Sequence, residues 1–223
     1  MSSLIEKKSL LIDSQLFPCI YYYLTLLNHD KLKIEQYDHY QKLSYRNRYY
    51  IAGPNGRILL SVPLEKGKNQ RTAMKDVRIC NRERWQSLHW KTLTSAYRRS
   101  PWFEFFEDEL RPCFEQSFDL LIEFNSFTFN VINRLLGFSV EIDFTGEYHP
   151  SYTASGVADH REKVLPRSIF PALEGSGAPA YTQVFGERTG FLSNLSILDL
   201  LFCEGKRAME WLEANKVLYL KSL

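Results

Sequence analysis

The sequence has few cysteines, and they are not clustered. Its 223 residues hold four, at positions 19, 80, 113 and 203, and none belongs to a C-x-x-C pair. Such wide spacing argues against a zinc site or a redox pair and favours a reducing compartment. The five histidines show no metal-ligand spacing either. We therefore expect no metal site.

Long apolar runs and glycine-rich loops are also missing. No stretch approaches the roughly 20 apolar residues of a membrane span. The first residues show no apolar run that ends in a small-residue cleavage site, so we expect a cytoplasmic protein with no membrane span. There is no G-x-G-x-x-G fingerprint, no Walker loop and no G-x-S-x-G elbow. The sequence thus predicts no cofactor and marks no nucleophile.

Charge is unevenly distributed along the chain. The net charge is +2, yet residues 40–100 hold fourteen Lys/Arg and three Asp/Glu, a balance of +11. The remainder holds fourteen Lys/Arg and twenty-three Asp/Glu. This asymmetry indicates that one face attracts an anion; the alternative is a basic, solvated surface.

The hydrophobic pattern predicts one α/β domain over residues 1–223. The stretches "SLLIDSQL" and "KLKIEQY" read as strands on either side of a helical stretch, and "GPNG" joins two strand-like runs as a tight turn. Helical periodicity dominates from residue 81 to 136, before "FSVEIDF" alternates again. We expect a mixed sheet flanked by helices, with an α+β arrangement as the second choice.

Residues 146–190 break this regular pattern. They carry four prolines and six glycines and show little periodicity. A long irregular segment in a compact domain is usually functional or flexible. We therefore predict a lid-like or flexible insertion here.

The basic stretch "SYRNRYYI", residues 44–51, suggests an anion clamp. If it is a strand, Arg46 and Arg48 share one face, whereas Tyr45 and Asn47 take the other. Two guanidinium groups about 6.7 Å apart can grip one phosphate from two sides. The alternative is two solvated arginines on an exposed sheet face. In a regular strand Asn47 is structural; otherwise the strand is bulged.

Further residues complete the predicted substrate site. Gln15 follows the first strand, and ligands of α/β sheets gather beyond the carboxyl ends of strands. His89 is a candidate general base because its ordinary pKa lies near neutrality, although a lone histidine on an apolar helix face is more often a core residue. Lys75 adds positive charge. Tyr45 and Tyr97 can stack or form hydrogen bonds.

Asp199 is an acid within the apolar stretch "SILDLLF". If it is buried it needs a partner, and an arginine of the basic region is the expected one. We include it with His89 among the catalytic candidates. Asn194, just before this stretch, is a natural helix N-cap.

Several stretches together resemble the WbqC-like protein family. They are "QLFPCIYYYLTLL", "KLSYRNRYYI", "LLSVPL", "KDVRI", "WQSLHWKTLTSAYRRSPWFEFF" and "GFLSNLSILDLLF". Two positions depart from the family pattern: Leu16 replaces the usual proline after the glutamine, and Ser193 replaces the proline often found before the asparagine. The resemblance implies a bacterial cytoplasmic protein linked to O-antigen or other surface-polysaccharide gene clusters. It implies a transferase on an activated, phosphate-bearing sugar but brings no firm set of catalytic residues.

The first hypothesis is therefore a transferase that moves an acyl or aminoacyl group onto an amino sugar held as a nucleotide diphosphate. Its arginine clamp binds the diphosphate, and the 146–190 segment closes over the site. Two alternatives stay open: an RNA-binding module that uses the same basic, aromatic region, and a non-catalytic interaction protein of a biosynthetic assembly. Convergence of Gln15, Arg46, Arg48, His89 and Asp199 on one concavity would favour the first. Scattering of the two arginines and His89 over separate surfaces would favour the interaction protein.

Overall fold

The computed structural model describes residues 9–65, 71–152, 156–174 and 176–221. The strands are β1 (Ser9–Asp13), β2 (Lys31–Glu35), β3 (Arg48–Gly53), β4 (Gly56–Ser61), β5 (Glu141–Phe144) and β6 (Val157–Asp159). The α-helices are α1 (Ile20–Leu26), α2 (Trp85–Tyr97), α3 (Phe103–Leu110), α4 (Pro112–Glu115), α5 (Leu121–Leu136), α6 (Pro166–Leu173), α7 (Gly186–Thr189), α8 (Ile197–Glu204) and α9 (Ala208–Lys221). Short 3₁₀ turns lie at Met74–Asp76 and Gly205–Arg207.

The strands form two sheets. The larger sheet has the order β5-β2-β1-β6, and each neighbouring pair runs parallel. The smaller is the antiparallel β3–β4 hairpin around the "GPNG" turn. The predicted α/β class is thus confirmed, with parallel and antiparallel pairing divided between the two sheets.

Alternation along the strands separates an apolar sheet face from a polar one. Ile34 pairs in register with Ile12 and with Phe144, so these side chains form a row on one face. This face meets α1 and α5, whose Tyr22 and Phe129 rings lie 6.2 Å apart. Ile12 and Ile34 are buried beneath the helices, so the sheet and the helices share one core, whereas Phe144 at the edge of the sheet is partly exposed.

The segment 146–190 contributes regular structure to this core. It contains β6, which pairs with β1, and the helices α6 and α7. Phe170 of α6 packs edge-on against the rings of Tyr45 and Tyr50. Residues 153–155 and 175 of the segment lie outside the described residues. Its proposed movement as a lid stays a prediction.

Within the described part of the chain, no helix combines the length and the apolar character needed to cross a bilayer.

Candidate functional site

The parallel strands end at a common edge rich in carboxylates. Asp13 and Glu35 are the paired last residues of β1 and β2, and Asp159 ends β6. Asp38 follows in the loop after β2; these four residues are called the acidic edge below. Asp13 and Glu35 are 3% and 2% exposed. Buried carboxylates at this density require cationic partners.

Arg46 supplies the first of these partners. Its Nη2 lies 2.7 Å from Asp13 Oδ1 and 2.9 Å from Asp38 Oδ2, and its Nη1 donates to the His39 carbonyl. Burial opposes a charged guanidinium, but the two carboxylates outweigh it and raise the pKa of Arg46. The other Asp13 oxygen accepts the backbone N–H of Glu162 at 2.7 Å. Arg46 therefore ties the first strand to the loop between β2 and β3, and Asp13 itself holds the loop that contains Glu162.

Arg161 supplies the second partner. Its Nη2 donates to Asp159 Oδ2 at 2.6 Å, and its Nη1 lies 3.5 Å from Glu35 Oε2. The hydrogen bond to Asp159 is the main reason why the pKa of Arg161 is raised. Glu35 also accepts from the Thr145 hydroxyl at 2.9 Å. Arg161 and Asp159 line a shallow cleft of ≈ 390 Å³. Its other lining residues are Asp38, Tyr148, Pro150, Glu162 and Lys163.

A second cleft, the cationic cleft, opens beside the residues that follow Arg46. It has a volume of ≈ 710 Å³ and is lined by Tyr40, Gln41, Lys42, Leu43, Asn47, Arg48, Ser61, Val62, Pro63, Leu64 and Arg167. Three of these residues are cations, and none of the described lining residues is acidic. Arg48 is half-buried, and its Nε has no hydrogen-bond partner among the residues that the structure describes. This cleft has the electrostatic character of an anion site.

A third opening, the enclosed cavity, lies between α5 and the apolar sheet face. Its volume is ≈ 220 Å³. Its lining residues are Ser14, Gln15, Tyr22, Ile34, Asn125, Ser126, Phe129, Asn130, Ile142 and Phe144. Gln15 thus lies where its position after the first strand predicts, at the carboxyl end of β1. Its role in binding stays a prediction.

The strand geometry expected for the arginine clamp is wrong. β3 begins only at Arg48, and residues 42–47 form turns and bends. Arg46 therefore does not alternate in step with Arg48. It turns inward to the acidic edge, whereas Arg48 and Asn47 line the cationic cleft. Asn47 also has a structural role there, since it accepts from Tyr40 Oη at 2.8 Å and donates to the Val62 carbonyl.

His89 lies in the core, 2% exposed. Its Nδ1 is 3.3 Å from Tyr49 Oη, and its Nε2 is 3.3 Å from the Ser61 carbonyl oxygen. Burial lowers its pKa to about 4, although the contact with Ser61 acts in the opposite direction. The neutral ring is therefore a packed residue with both nitrogens in contact with protein atoms.

Asp199 is fully buried. The prediction that an arginine is its partner is wrong. Tyr97 Oη and Tyr181 Oη each donate to its carboxylate at 2.5 Å, and Gln183 Nε2 donates at 2.9 Å. Burial raises the pKa of Asp199, and the three hydrogen bonds oppose that rise. Neutral donors satisfy the carboxylate without an ion pair. Ser196 caps the following helix, while Asn194 Oδ1 accepts from the Tyr21 backbone N–H.

The remaining two predicted residues lie apart. Tyr45 is buried, and its hydroxyl oxygen accepts from Asn194 Nδ2 at 3.3 Å. Lys75 is half-buried at the surface, where its Nζ lies 2.9 Å from Asp76 Oδ1. The predicted residues therefore occupy several places: the enclosed cavity, the cationic cleft, the acidic edge, the core and, for Lys75, the surface. They do not converge on one concavity, which was the arrangement that would favour the transferase hypothesis.

Backbone strain occurs at several positions near these openings. Four non-glycine residues among those described have a positive φ, and three of them lie in loops next to these openings. Phe17 (φ 39°) lies two residues after Gln15, Leu43 (φ 59°) lines the cationic cleft, and Glu162 (φ 57°) lines the shallow cleft. Such conformations cost about 1–3 kcal/mol each and recur at functional sites.

Sequence reasoning missed Asp13, Lys42, Arg161 and Arg167. The signal for Asp13 was its place at the end of a strand. Arg161 belongs to "DHRE", a charge run that is ordinarily solvated. Its partner Glu35 lies far away in the sequence, so no local pattern could reveal the pair. Among the described residues, no group of three or more His, Cys, Asp or Glu is arranged to hold a metal ion.

Comparison with known proteins gives one match. A family model described as the WbqC-like protein family matches residues 13–165. The matched range begins at Asp13 and includes the acidic edge, Arg46 and Arg161, but it ends before Arg167 and the "GFLSNLSILDLLF" stretch. Neither the curated proteins nor the solved structures contain a match.

Proposed function

Because the chain belongs to the WbqC-like protein family, we propose that it binds a phosphate-bearing sugar substrate and acts as a transferase in surface-polysaccharide biosynthesis. The observation that supports the binding step is the cationic cleft, where Lys42, Arg48 and Arg167 meet without an acidic lining residue among those described. The transfer step rests on the resemblance to the family. We assign substrate binding to these three cations and Asn47, and we assign proton transfer to no residue.

Arg48 is the central group of this proposal. No ion pair neutralises it within the described chain, and its buried Nε–H is unpartnered there. A buried donor without an acceptor costs about 1–3 kcal/mol, which an anionic oxygen in the cleft would offset. Arg48 also opposes the rise that burial produces in the pKa of the neighbouring Tyr40. The positive charge of Arg48 therefore acts electrostatically on Tyr40, another residue that lines the cleft.

Arg167, which belongs to α6, adds to the positive electrostatic potential of the cationic cleft. It lies in the first turn of α6, near the positive end of the helix dipole. A cation there is electrostatically unfavourable for the helix alone. An anion bound in the cleft would compensate both the positive charge of Arg167 and the positive end of the helix dipole. Phosphate oxygens, which accept forked hydrogen bonds from guanidinium groups, suit this arrangement.

The arrangement favours a small anion over RNA. A single-stranded nucleic acid needs exposed aromatic platforms next to the positive charge, and Tyr40, the aromatic residue that lines the cationic cleft, is only 7% exposed. Arg46 is already neutralised by two carboxylates. Lys91, Arg98 and Arg99 line a different cleft, of ≈ 650 Å³. The basic region thus supplies separate cationic sites rather than one continuous stripe.

Calorimetric titration with UDP-N-acetylglucosamine, other nucleotide sugars and pyrophosphate tests the binding step. We expect at least one nucleotide sugar to bind, and we expect Arg48→Met and Arg167→Met each to weaken it about tenfold or more, because each removes a charged hydrogen bond of about 1.5–3 kcal/mol. Arg98→Met is the matched control: it removes one charge from the other basic cleft and should leave affinity unchanged. Absence of binding to every nucleotide sugar, or equal affinity of Arg48→Met and wild type, contradicts the proposal.

Two further outcomes separate the alternatives. Affinity for an RNA homopolymer that falls steeply with salt, and that Arg48→Met and Arg98→Met weaken equally, would support the RNA-binding module. Mass spectrometry of the bound nucleotide sugar, incubated with acyl-coenzyme A donors, tests the transfer step. Binding without any mass gain would favour the non-catalytic interaction protein.

A further inference from the structure

The enclosed cavity combines apolar walls with polar groups and has no charged lining residue among those described. Its apolar surface comes from Tyr22, Ile34, Phe129, Ile142 and Phe144, and its polar groups are hydroxyls and side-chain amides. Phe144 is 36% exposed, and Asn130 is also exposed, so the cavity opens to solvent beside these two residues. Small-molecule sites have this composition: mostly apolar walls with a few placed polar groups.

Two residues that line this cavity each contain a buried side-chain amide oxygen that lacks a hydrogen-bond partner among the described residues. Gln15 and Asn125 are 4% and 1% exposed, and neither Gln15 Oε1 nor Asn125 Oδ1 has a partner in the described part of the protein. Both residues line the cavity. Each orphaned acceptor costs about 1–3 kcal/mol unless a donor reaches it.

The hydrogen-bond network fixes which amide atom is orphaned. Asn125 Nδ2 donates to the Arg46 carbonyl at 2.9 Å and to Ser14 Oγ at 3.0 Å. Gln15 Nε2 donates to the Val164 carbonyl at 3.2 Å. Rotating either amide by half a turn would place an oxygen against a carbonyl, which only accepts. The unpartnered atoms are therefore acceptors, and they require donors.

We propose that the enclosed cavity binds an uncharged, ring-shaped compound with at least two hydroxyl groups, the chemical class of the monosaccharides. Its hydroxyl groups donate to Gln15 Oε1 and Asn125 Oδ1. A cation is disfavoured because no lining carboxylate would compensate its desolvation, and an anion is disfavoured because the orphaned groups are acceptors. The apolar walls take the C–H faces of the ring.

The size of the cavity agrees with a single ring. A cavity of about 150 Å³ holds benzene in an engineered protein interior, and this one is larger, at ≈ 220 Å³. The same volume corresponds to about seven waters at bulk density, so water is the competitor that the ligand must displace. This inference does not rest on the cationic cleft, and either site can fail without the other.

Titration of ¹⁵N-labelled protein with D-glucose, D-galactose and D-mannose tests the proposal by NMR. We expect at least one sugar to shift the side-chain amide signals of Gln15 and Asn125 in a saturable manner. Cyclohexanol, a ring of similar size with a single hydroxyl, should bind at least tenfold more weakly. Gln15→Leu should weaken sugar binding about tenfold, because it removes one acceptor at nearly constant volume.

A second pair of variants guards against misfolding of Gln15→Leu. Asn130→Trp places a large ring at the exposed opening and should abolish the shifts. Glu123→Trp, at an exposed position of the same helix outside the cavity lining, should leave them intact. Failure of all three sugars to move the two amide signals overturns the proposal. Shifts that persist unchanged in Asn130→Trp place binding elsewhere and overturn it equally.

Discussion

Two arginines separated by one residue have opposite environments. Arg46 is 2% exposed between Asp13 and Asp38, while Arg48 is half-buried in a cleft with no acidic lining residue among those described. Their side chains are chemically identical, so the sequence motif cannot distinguish an arginine buried in ion pairs from one that lines an open cleft. The difference arises because the strand starts at the second arginine, which leaves the first in a turn directed at the acidic edge.

The structural role of Arg46 predicts a large stability effect. Arg46→Met leaves Asp13 buried and uncompensated, and it should lower the free energy of unfolding by about 3–5 kcal/mol. Adding Asp13→Asn removes the orphaned charge, so the double variant should be more stable than Arg46→Met alone. Urea denaturation of the two single variants and the double variant measures both. A double variant whose loss equals the sum of the single losses would show that the pair is not coupled.

Burial of His89 predicts a pH effect on stability. Its pKa falls from the ordinary 6.5 to about 4 in the folded protein, so the unfolded chain binds the proton more tightly between these values. Stability contributed by the neutral ring is present above pH 6.5 and is lost as the pH falls towards 4. From this residue alone we expect the free energy of unfolding to drop by about 2 kcal/mol between pH 7 and pH 5.

Denaturation at the two pH values, with matched variants, isolates this effect. His89→Gln should show a pH difference smaller than that of wild type, whatever its absolute stability. His149→Gln, which changes an exposed histidine, should retain the wild-type difference. An identical pH difference in wild type and His89→Gln would rule out His89 as its source.

At the scale of elements, ion pairs at the sheet edge fasten the late part of the chain to the early part. Arg161 follows β6 and reaches Glu35 at the end of β2. Its guanidinium also donates to the carbonyl of His149 at 2.8 Å and lies over the rings of Tyr148 and Tyr152. The Arg161 side chain therefore connects three segments: the loop after β5, the end of β2 and the residues that follow β6.

We expect Arg161→Met to loosen this corner selectively. Loss of charged hydrogen bonds worth about 1.5–3 kcal/mol should speed amide exchange in β6 and in residues 145–152 about tenfold or more, while the β3–β4 hairpin keeps its protection. Lys163→Met changes the same charge at an exposed position two residues away and should have little effect. Hydrogen-exchange mass spectrometry measures all three segments. Uniform acceleration across the protein would instead indicate global destabilisation.

A helix or strand can be predicted from the sequence when the residues that determine it lie close together in the chain. The first two strands, the "GPNG" hairpin and the helix that ends at Gly137 carry periodicity, turn residues or caps within a short window, and the structure contains all of them. β6 has three residues in a segment rich in glycine and proline, too few for alternation to emerge. It is a strand because β1 offers it an edge, and only the tertiary fold contains that information.

At the scale of the whole molecule, the sequence indicated single residues of the enclosed cavity and the cationic cleft, but not which residues line each opening together. Position after a strand indicated Gln15, and charge indicated Arg48, because both signals are local. The cationic cleft also needs Arg167, which lies far from Arg48 in the chain, and the enclosed cavity needs Asn125 from the middle of α5. Such groupings arise only when distant elements pack.

The place of β6 has a consequence for synthesis of the chain. β1 lies in the middle of the sheet, with β2 on one side and β6 on the other, and the register pairs Ser9 with Val157. During translation β2 follows β1 after the connection 14–30, whereas β6 begins only at Val157. Until β6 is made, one edge of β1 has no neighbouring strand, and unpaired strand edges promote aggregation. The nascent protein therefore depends on slow, long-range closure, and a ribosome that stalls before β6 would leave this strand exposed to chaperones or to other nascent chains.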